Sequence, residues 1–174
     1  MPAPSDSEWV RAAVAQWEAP LLRYAARLTG DLERARDVVQ DTFLRLCAQP
    51  RADVDGHLVE WLFTVCRNRA LDVVRKESRM NTSSPTLDGA RSAEPEPSAV
   101  SERNETVGRI LQLLRTLPGK QQEVLRLKFQ EGLSYKEISG ITQLTVSHVG
   151  VLIHTGLKTL RSRLDAAPRV APGA

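Results

Sequence analysis

The sequence predicts an all-α protein: two small helical domains joined by a flexible linker. Three observations predict it. No run of Val, Ile, Thr or aromatic residues alternates with period two, so a sheet has no source. Apolar residues recur instead at helical spacing on both sides of the chain's middle. Between them, Asn81 to Ser98 holds prolines at 85, 95 and 97, several serines and almost no large apolar residue. Such a stretch buries too little surface to offset its ordering entropy and reads as a tether. The boundaries fall at 5–79 for the first domain, 80–104 for the linker and 105–165 for the second. A short Pro/Ala/Gly-rich tail, 166–174, has no assigned role.

Composition narrows the class. The chain has 174 residues, 41% hydrophobic and 26% charged, which suits folded domains and excludes a wholly disordered chain. Aromatics are 5%, so the cores must be built from Leu, Val, Ala and Ile. No stretch approaches the roughly 20 apolar residues of a membrane helix, and Met1 to Asp6 shows no signal-peptide pattern, so no membrane insertion is expected. Cys47 and Cys66 cannot form a disulfide framework or a four-ligand zinc site, and both are expected as buried small apolar residues. The expectation is a reduced, cytoplasmic protein.

In the first domain, Ser5-Asp6-Ser7-Glu8 has capping-box spacing and opens a helix carrying Trp9, Ala13 and Trp17. Pro20 is expected to restart the chain, with Leu21, Tyr24, Ala25 and Leu28 following and Gly30 as the closing cap. Asp31 caps the next helix, Leu32 to Cys47, whose apolar stripe is Ala35, Val38, Val39, Thr42, Phe43 and Leu46. Pro50 to Gly56 is expected as a loop. Asp55 then caps a long helix, His57 to Lys76, burying Leu58, Leu62, Val65, Ala70, Leu71 and Val74.

In the second domain, Val107, Ile110, Leu111, Leu114 and Leu117 mark a helix stopped by Pro118. Gln121 to Gln130 is the next, with Val124, Leu125, Leu127 and Phe129 as its apolar residues and a stop at Gly132. Ser134-Tyr135-Lys136-Glu137 is a capping box for a short helix through Ile138 and Ile141. After a turn near Gln143, Thr145 caps a final helix with the stripe Val146, Val149, Ile153, Leu157, Leu160 and Leu164. A short helix, a tight turn and a longer basic-ended helix make a helix-turn-helix, whose second helix enters the major groove.

Charge supports a polyanionic partner. The net charge is +3, but residues 1–79 balance 12 basic against 12 acidic side chains, while 105–174 carry 10 against 5. Within the neutral part, Arg67 to Arg79 concentrates five basic residues. Local basic faces of this kind suit nucleic acid, with a solvated helix face as the alternative.

Two segments then carry a family resemblance. The first is Leu28-Thr29-Gly30-Asp31 with Asp37-Val38-Val39-Gln40-Asp41-Thr42-Phe43-Leu44, Trp61-Leu62-Phe63 and Arg67-Asn68-Arg69-Ala70-Leu71-Asp72. The second is Leu117-Pro118, Glu123-Val124-Leu125 and Gly132-Leu133-Ser134-Tyr135-Lys136-Glu137-Ile138 with the final helix. Together they resemble bacterial RNA polymerase sigma factors of the extracytoplasmic-function (ECF) group. Such a protein binds core polymerase, recognises a promoter and helps open it.

On residues alone, Asp37 and Asp41 are four apart with Leu44 one turn on, so one helix face presents two carboxylates around an apolar anchor. The resemblance implies that this face, with Gln40, grips the coiled coil of the polymerase clamp. It also places a pocket for a displaced promoter base at Arg51 to Gly56, with Arg51, Asp53, Trp61 and Phe63 beside it. Arg67, Asn68, Arg69, Arg75 and Lys76 are the implied contacts to the −10 element, the basic groups to phosphate and Asn68 to a base edge. For the −35 element the implied residues are Ser134, Tyr135, Thr145, Ser147, His148, Val151, Lys158 and Arg161, with Arg163 a further phosphate contact.

The final helix departs from the family pattern. Gly150, Val151, Leu152, Thr155 and Gly156 stand where many relatives carry basic residues. Glycine inside a helix costs about 1 kcal/mol relative to alanine, so close approach of a neighbour is the expected reason for these two. Exposed Val151 and Leu152 would also suit an inhibitory protein partner, an anti-sigma factor in this family. His57, His148 and His154 are scattered, and no nucleophile–base pair or phosphate loop is present, so no catalysis, metal or cofactor is expected. Two other functions compete: an adaptor derived from a sigma factor, and a helix-turn-helix regulator that binds DNA alone.

Overall fold

The structure, a computed structural model, describes residues 6–80 and 102–166. The expected cap Ser5, linker residues 81–101 and tail residues 167–174 lie outside these. Among the described residues every regular element is helical. The chain divides into two compact units, Met1–Pro95 and Glu96–Ala174.

The first unit is a three-helix bundle. Helix α1 runs Asp6–Thr29, α2 Leu32–Cys47 and α4 Leu58–Met80, with a single turn α3, Arg51–Val54, and a 3-10 turn, Asp55–His57, between the last two. Pro20 does not restart the chain; it lies inside α1. Trp9, Ala13, Leu21, Tyr24 and Ala25 are all buried along one continuous stripe. Burying that whole stripe offsets the roughly 3 kcal/mol an interior proline costs. Gly30, at φ 69, turns the chain, and Asp31 caps α2 by accepting the Arg34 N–H at 2.8 Å. The buried face of α2 is Ala35, Val38, Val39, Thr42, Phe43 and Leu46, the stripe its periodicity predicts.

The expected loop at 50–56 is instead mostly helical, and the Asp55 carboxylate is engaged by Trp9 and Arg51. In α4 the fully buried residues are Leu62, Phe63, Cys66 and Ala70. Leu58, Val65, Leu71 and Val74 are only partly covered. Phe63 packs edge-on to Trp17 and tilted on Tyr24, at centroid distances of 6.2 and 5.3 Å. The Cys66 thiol points at the Leu21 carbonyl oxygen, 3.9 Å away. Cys47, by contrast, is exposed, because it follows Leu46 off the buried stripe at the end of α2.

Two ion pairs join α2 to α4: Arg34 to Glu77 at 2.7 Å and Asp41 to Arg69 at 2.7 Å. The order of these contacts makes α2 and α4 antiparallel. The contacts of residues 9, 17 and 21 with 55, 63 and 66 make α1 and α4 parallel.

The second unit consists of α5 Glu102–Arg115, α6 Gly119–Phe129, α7 Tyr135–Thr142 and α8 Val146–Ala166. Thus α4 and α5 take up Met80 and residues 102–104 from the ends of the expected linker. The core is Leu114, Leu117, Val124, Leu125, Leu127, Leu133, Ile138, Ile141, Val149, Ile153 and Leu160.

Several expected core residues are exposed: Val107, Ile110, Phe129, Val146 and Leu157. Phe129 ends α6, and Gly132, at φ 71, swings Leu133 into the core, its N–H bonding the Leu127 carbonyl at 3.1 Å. On α8 the buried line is Val149, Ile153, Gly156 and Leu160, which leaves Val146 beyond the packing and Leu157 beside it. Gly156 therefore faces inward rather than along the exposed side. A Cβ there would sit 2.8 Å from Leu125 Cδ1.

Candidate functional site

Candidate contact surfaces lie on each unit. In the first, burial of one face of α2 turns Asp37, Gln40 and Leu44 outward. Leu44 is 60% exposed, an apolar side chain presented between polar ones. Asp41 is half-buried, and its Oδ2 accepts from Arg69 Nε at 2.7 Å. The four residues that the spacing groups are thus together, but one is tied to α4. Beside Gln40 and Leu44 opens a groove of roughly 480 Å3, whose apolar wall is Val10, Val14 and Leu22 of α1 with Phe43 of α2.

The α4 residues separate into three groups. Asn68, Arg75 and Lys76 are exposed and share a side at helical spacing; Arg75 also pairs with Asp72 at 3.5 Å. Arg67 and Trp61 are partly exposed. Phe63 is 0% exposed, locked by Trp17 and Tyr24, and so cannot back a displaced base; that expectation is corrected. Arg69 is also partly exposed, with its guanidinium tied to Asp41.

At the 51–57 segment, Asp53 is exposed and Val54 is the single buried side chain. Trp9 of α1 reaches across to this segment. Its Nε1–H donates to Asp55 Oδ1 at 3.2 Å, and the Arg51 guanidinium lies 5.5 Å from the ring centroid. Arg51 Nε is 3.5 Å from Asp55 Oδ2, closing a three-residue cluster. Sequence patterning placed Trp9 only on the first helix. A contact 46 residues distant leaves no signal in spacing.

In the second unit, α7, the turn and α8 form the helix-turn-helix. Ser134 and Glu137 cap α7 reciprocally, at 3.2 and 2.7 Å. Gln143 takes φ 60 at the turn, and the Ser139 hydroxyl donates to the Leu144 carbonyl at 2.6 Å. Thr145 Oγ1 accepts the His148 N–H at 3.2 Å, capping α8. Ser134 and Thr145 are therefore accounted for as caps. Tyr135 lies against Gly150, where a Cβ would meet the ring at 3.6 Å, and Lys128 Nζ stands 5.4 Å over that ring.

Ser147, Val151, Lys158 and Arg161 are all exposed and fall on one stripe of α8. His154 completes that stripe, three residues after Val151 and four before Lys158, a spacing that was available in the sequence. His148 lies on its flank. Leu152 is half-buried, so Val151, at 57% exposure, is the main apolar group of the stripe's amino-terminal half. Arg163 is off the stripe, its guanidinium hydrogen-bonded to the Thr116 hydroxyl.

Among the described residues, no group of three or more His, Cys, Asp or Glu could hold a metal ion, and no helix is long and apolar enough to cross a membrane.

Comparison with known proteins assigns both units. Residues 13–80 match the Sigma-70 region 2 family and residues 108–160 the Sigma-70, region 4 family. The ECF RNA polymerase sigma factor SigL of Mycobacterium tuberculosis is 32% identical over 167 residues, covering 94% of this chain and 93% of that protein. SigM of Bacillus subtilis is 28% identical over 142 residues, covering 80% and 85%. In fold, the chain is similar to the sigma factor RpoE in its co-crystal structure with the anti-sigma factor NepR from Bartonella quintana. That match has a TM-score of 0.65 at 20% identity, covering 91% of this chain and 98% of that one. Matched in both regions and along nearly its whole length, the chain belongs to the ECF group of the sigma-70 family of RNA polymerase sigma factors.

Proposed function

We propose that this sigma factor binds core RNA polymerase through Asp37, Gln40, Asp41 and Leu44, and directs promoter-specific initiation in the cytoplasm without catalytic residues of its own. The observation that carries the interface is Leu44. A leucine 60% exposed on a helix whose opposite face is fully packed exposes apolar area for a partner to cover. The groove beside it extends the apolar area, and Asp37 and Gln40 supply a polar rim.

Residues 5–79 then take the −10 element, with Asn68, Arg75 and Lys76 of α4 on the strands and residues 51–57 receiving a displaced base. Residues 105–165 take the −35 element through the α8 stripe. Val151 suits a thymine methyl, Ser147 and His148 suit base edges, and Lys158 and Arg161 suit phosphate. The partners are core polymerase, promoter DNA and an anti-sigma factor of the kind seen with the Bartonella protein.

Leu44→Asp tests the interface. It should weaken core binding at least tenfold, read by fluorescence anisotropy, with the melting temperature unchanged because the side chain is exposed. A variant that binds core normally removes Leu44 from the interface. A stand-alone regulator would bind a palindrome without polymerase, and an adaptor would bind core yet give no transcript.

A further inference from the structure

The 51–57 segment has little to hold it. Its helical parts are four and three residues long, too short to be stable by themselves. Neither has a side-chain cap: Pro50 and Val54 occupy the cap positions without such a bond. Val54 is the single buried side chain, and Gly56 has no neighbour within 4 Å of a built Cβ. An anchor reaches the segment from α1 in Trp9. Trp9 is 9% exposed, its Nε1–H reaches Asp55, and Arg51 lies over its ring while pairing with the same carboxylate. Trp9 also precedes the span 13–80 that matches region 2.

We propose that Trp9 is a positioning residue for promoter opening, holding Asp55 and Arg51 so that the 51–57 segment is already shaped to receive the displaced base. Without the clamp, the segment must be ordered at the moment of capture, and that ordering is subtracted from the affinity for the base. Arg51 is accordingly a member of the clamp rather than a strand contact. This inference rests on the base-capture reading of residues 51–57.

The test uses holoenzyme and a fluorescent single strand carrying the non-template −10 sequence of a promoter mapped by run-off transcription. An abasic site is scanned along the strand. Trp9→Phe keeps a ring but removes the donor, and Asp55→Ala removes the acceptor from an exposed position. Both should weaken strand binding about three- to tenfold with core affinity unchanged. Asp55→Ala, at an exposed position, should leave the melting temperature unchanged, while Trp9→Phe, at a buried one, should lower it modestly. Asp55→Asn, which keeps an acceptor, should retain most of the affinity.

Strand affinity equal to wild type in Trp9→Phe and Asp55→Ala overturns the proposal. So does a loss that runs parallel to core affinity in either variant, or to melting temperature in Asp55→Ala, since that marks a role in folding alone. If wild-type holoenzyme shows no abasic position that matters, the base-capture reading itself has failed, a result distinct from unchanged variants on a wild-type strand profile.

Discussion

Asp41 pairs with Arg69 and, in the proposed interface, also faces polymerase. Its pair with Arg69 is about 40% exposed on either side, so it adds only about 0.5 kcal/mol to stability. Its larger role in this account is toward polymerase. Asp41→Arg should therefore lose core binding, and the swap Asp41→Arg with Arg69→Asp should recover the melting temperature without recovering core binding. A swap that restores both would make Asp41 a partner of Arg69 alone.

The two thiols separate just as clearly. Burial pushes the Cys66 pKa up from 9.0 to about 12, against a smaller opposing effect of the hydrogen bond with Thr42, while Cys47 is exposed. Alkylation at pH 8 should label Cys47 alone until the protein unfolds. The unfolded thiol ionises near 9 and the folded one near 12, so the folded state holds the extra proton between them. Stability from this group is intact below pH 9 and is lost as pH rises toward 12. Cys66→Ala should show a shallower decline over that window in chemical denaturation; an identical decline would remove Cys66 as a cause.

At the scale of elements, the glycines of α8 have unlike roles. A Cβ at Gly150 would make ordinary contact with Tyr135 at 3.6 Å, so Gly150→Ala should gain about 1 kcal/mol from helix propensity. At Gly156 the same Cβ would press on buried Leu125 at 2.8 Å, and overpacking should outweigh propensity for a net loss of about 1 kcal/mol. Equal melting temperatures for the two variants would refute this assignment.

The exposed stripe makes its own prediction. Lys158→Ala and Arg161→Ala should each reduce the salt dependence of promoter binding by about one in slope. Val151→Ala should relax sequence preference at one −35 position instead. Filter binding at several salt concentrations, on matched and substituted promoters, separates the two effects.

Elements were legible in the sequence where one physical cause acts alone. The stripe and cap of α2, the capping box of α7 and the Thr145 cap of α8 all follow from local spacing. Reading failed where a long-range contact overrides a local rule. Pro20 stays within α1 because the residues on both sides share a buried face, and the 51–57 segment becomes helical under Trp9. Phe63 and Trp61 are neighbours in sequence yet differ in exposure, because Trp17 and Tyr24 enclose only the former. The Asp41–Arg69 pair, 28 residues apart, left no trace in either segment's pattern.

At the scale of the whole molecule, the account assigns one task to two units. In the proposed function the α2 face serves polymerase, α4 and the 51–57 segment the −10 element, and α8 the −35 element. A chain with these surfaces should be inert on DNA without polymerase and specific with it. Run-off transcription across genomic promoter fragments, with purified core polymerase and with or without the protein, tests this most directly, with Asp41→Arg as the interface control. The account predicts discrete transcripts that require the protein and disappear with the variant. Core binding with no transcript from any fragment, by a folded wild-type protein, would contradict it.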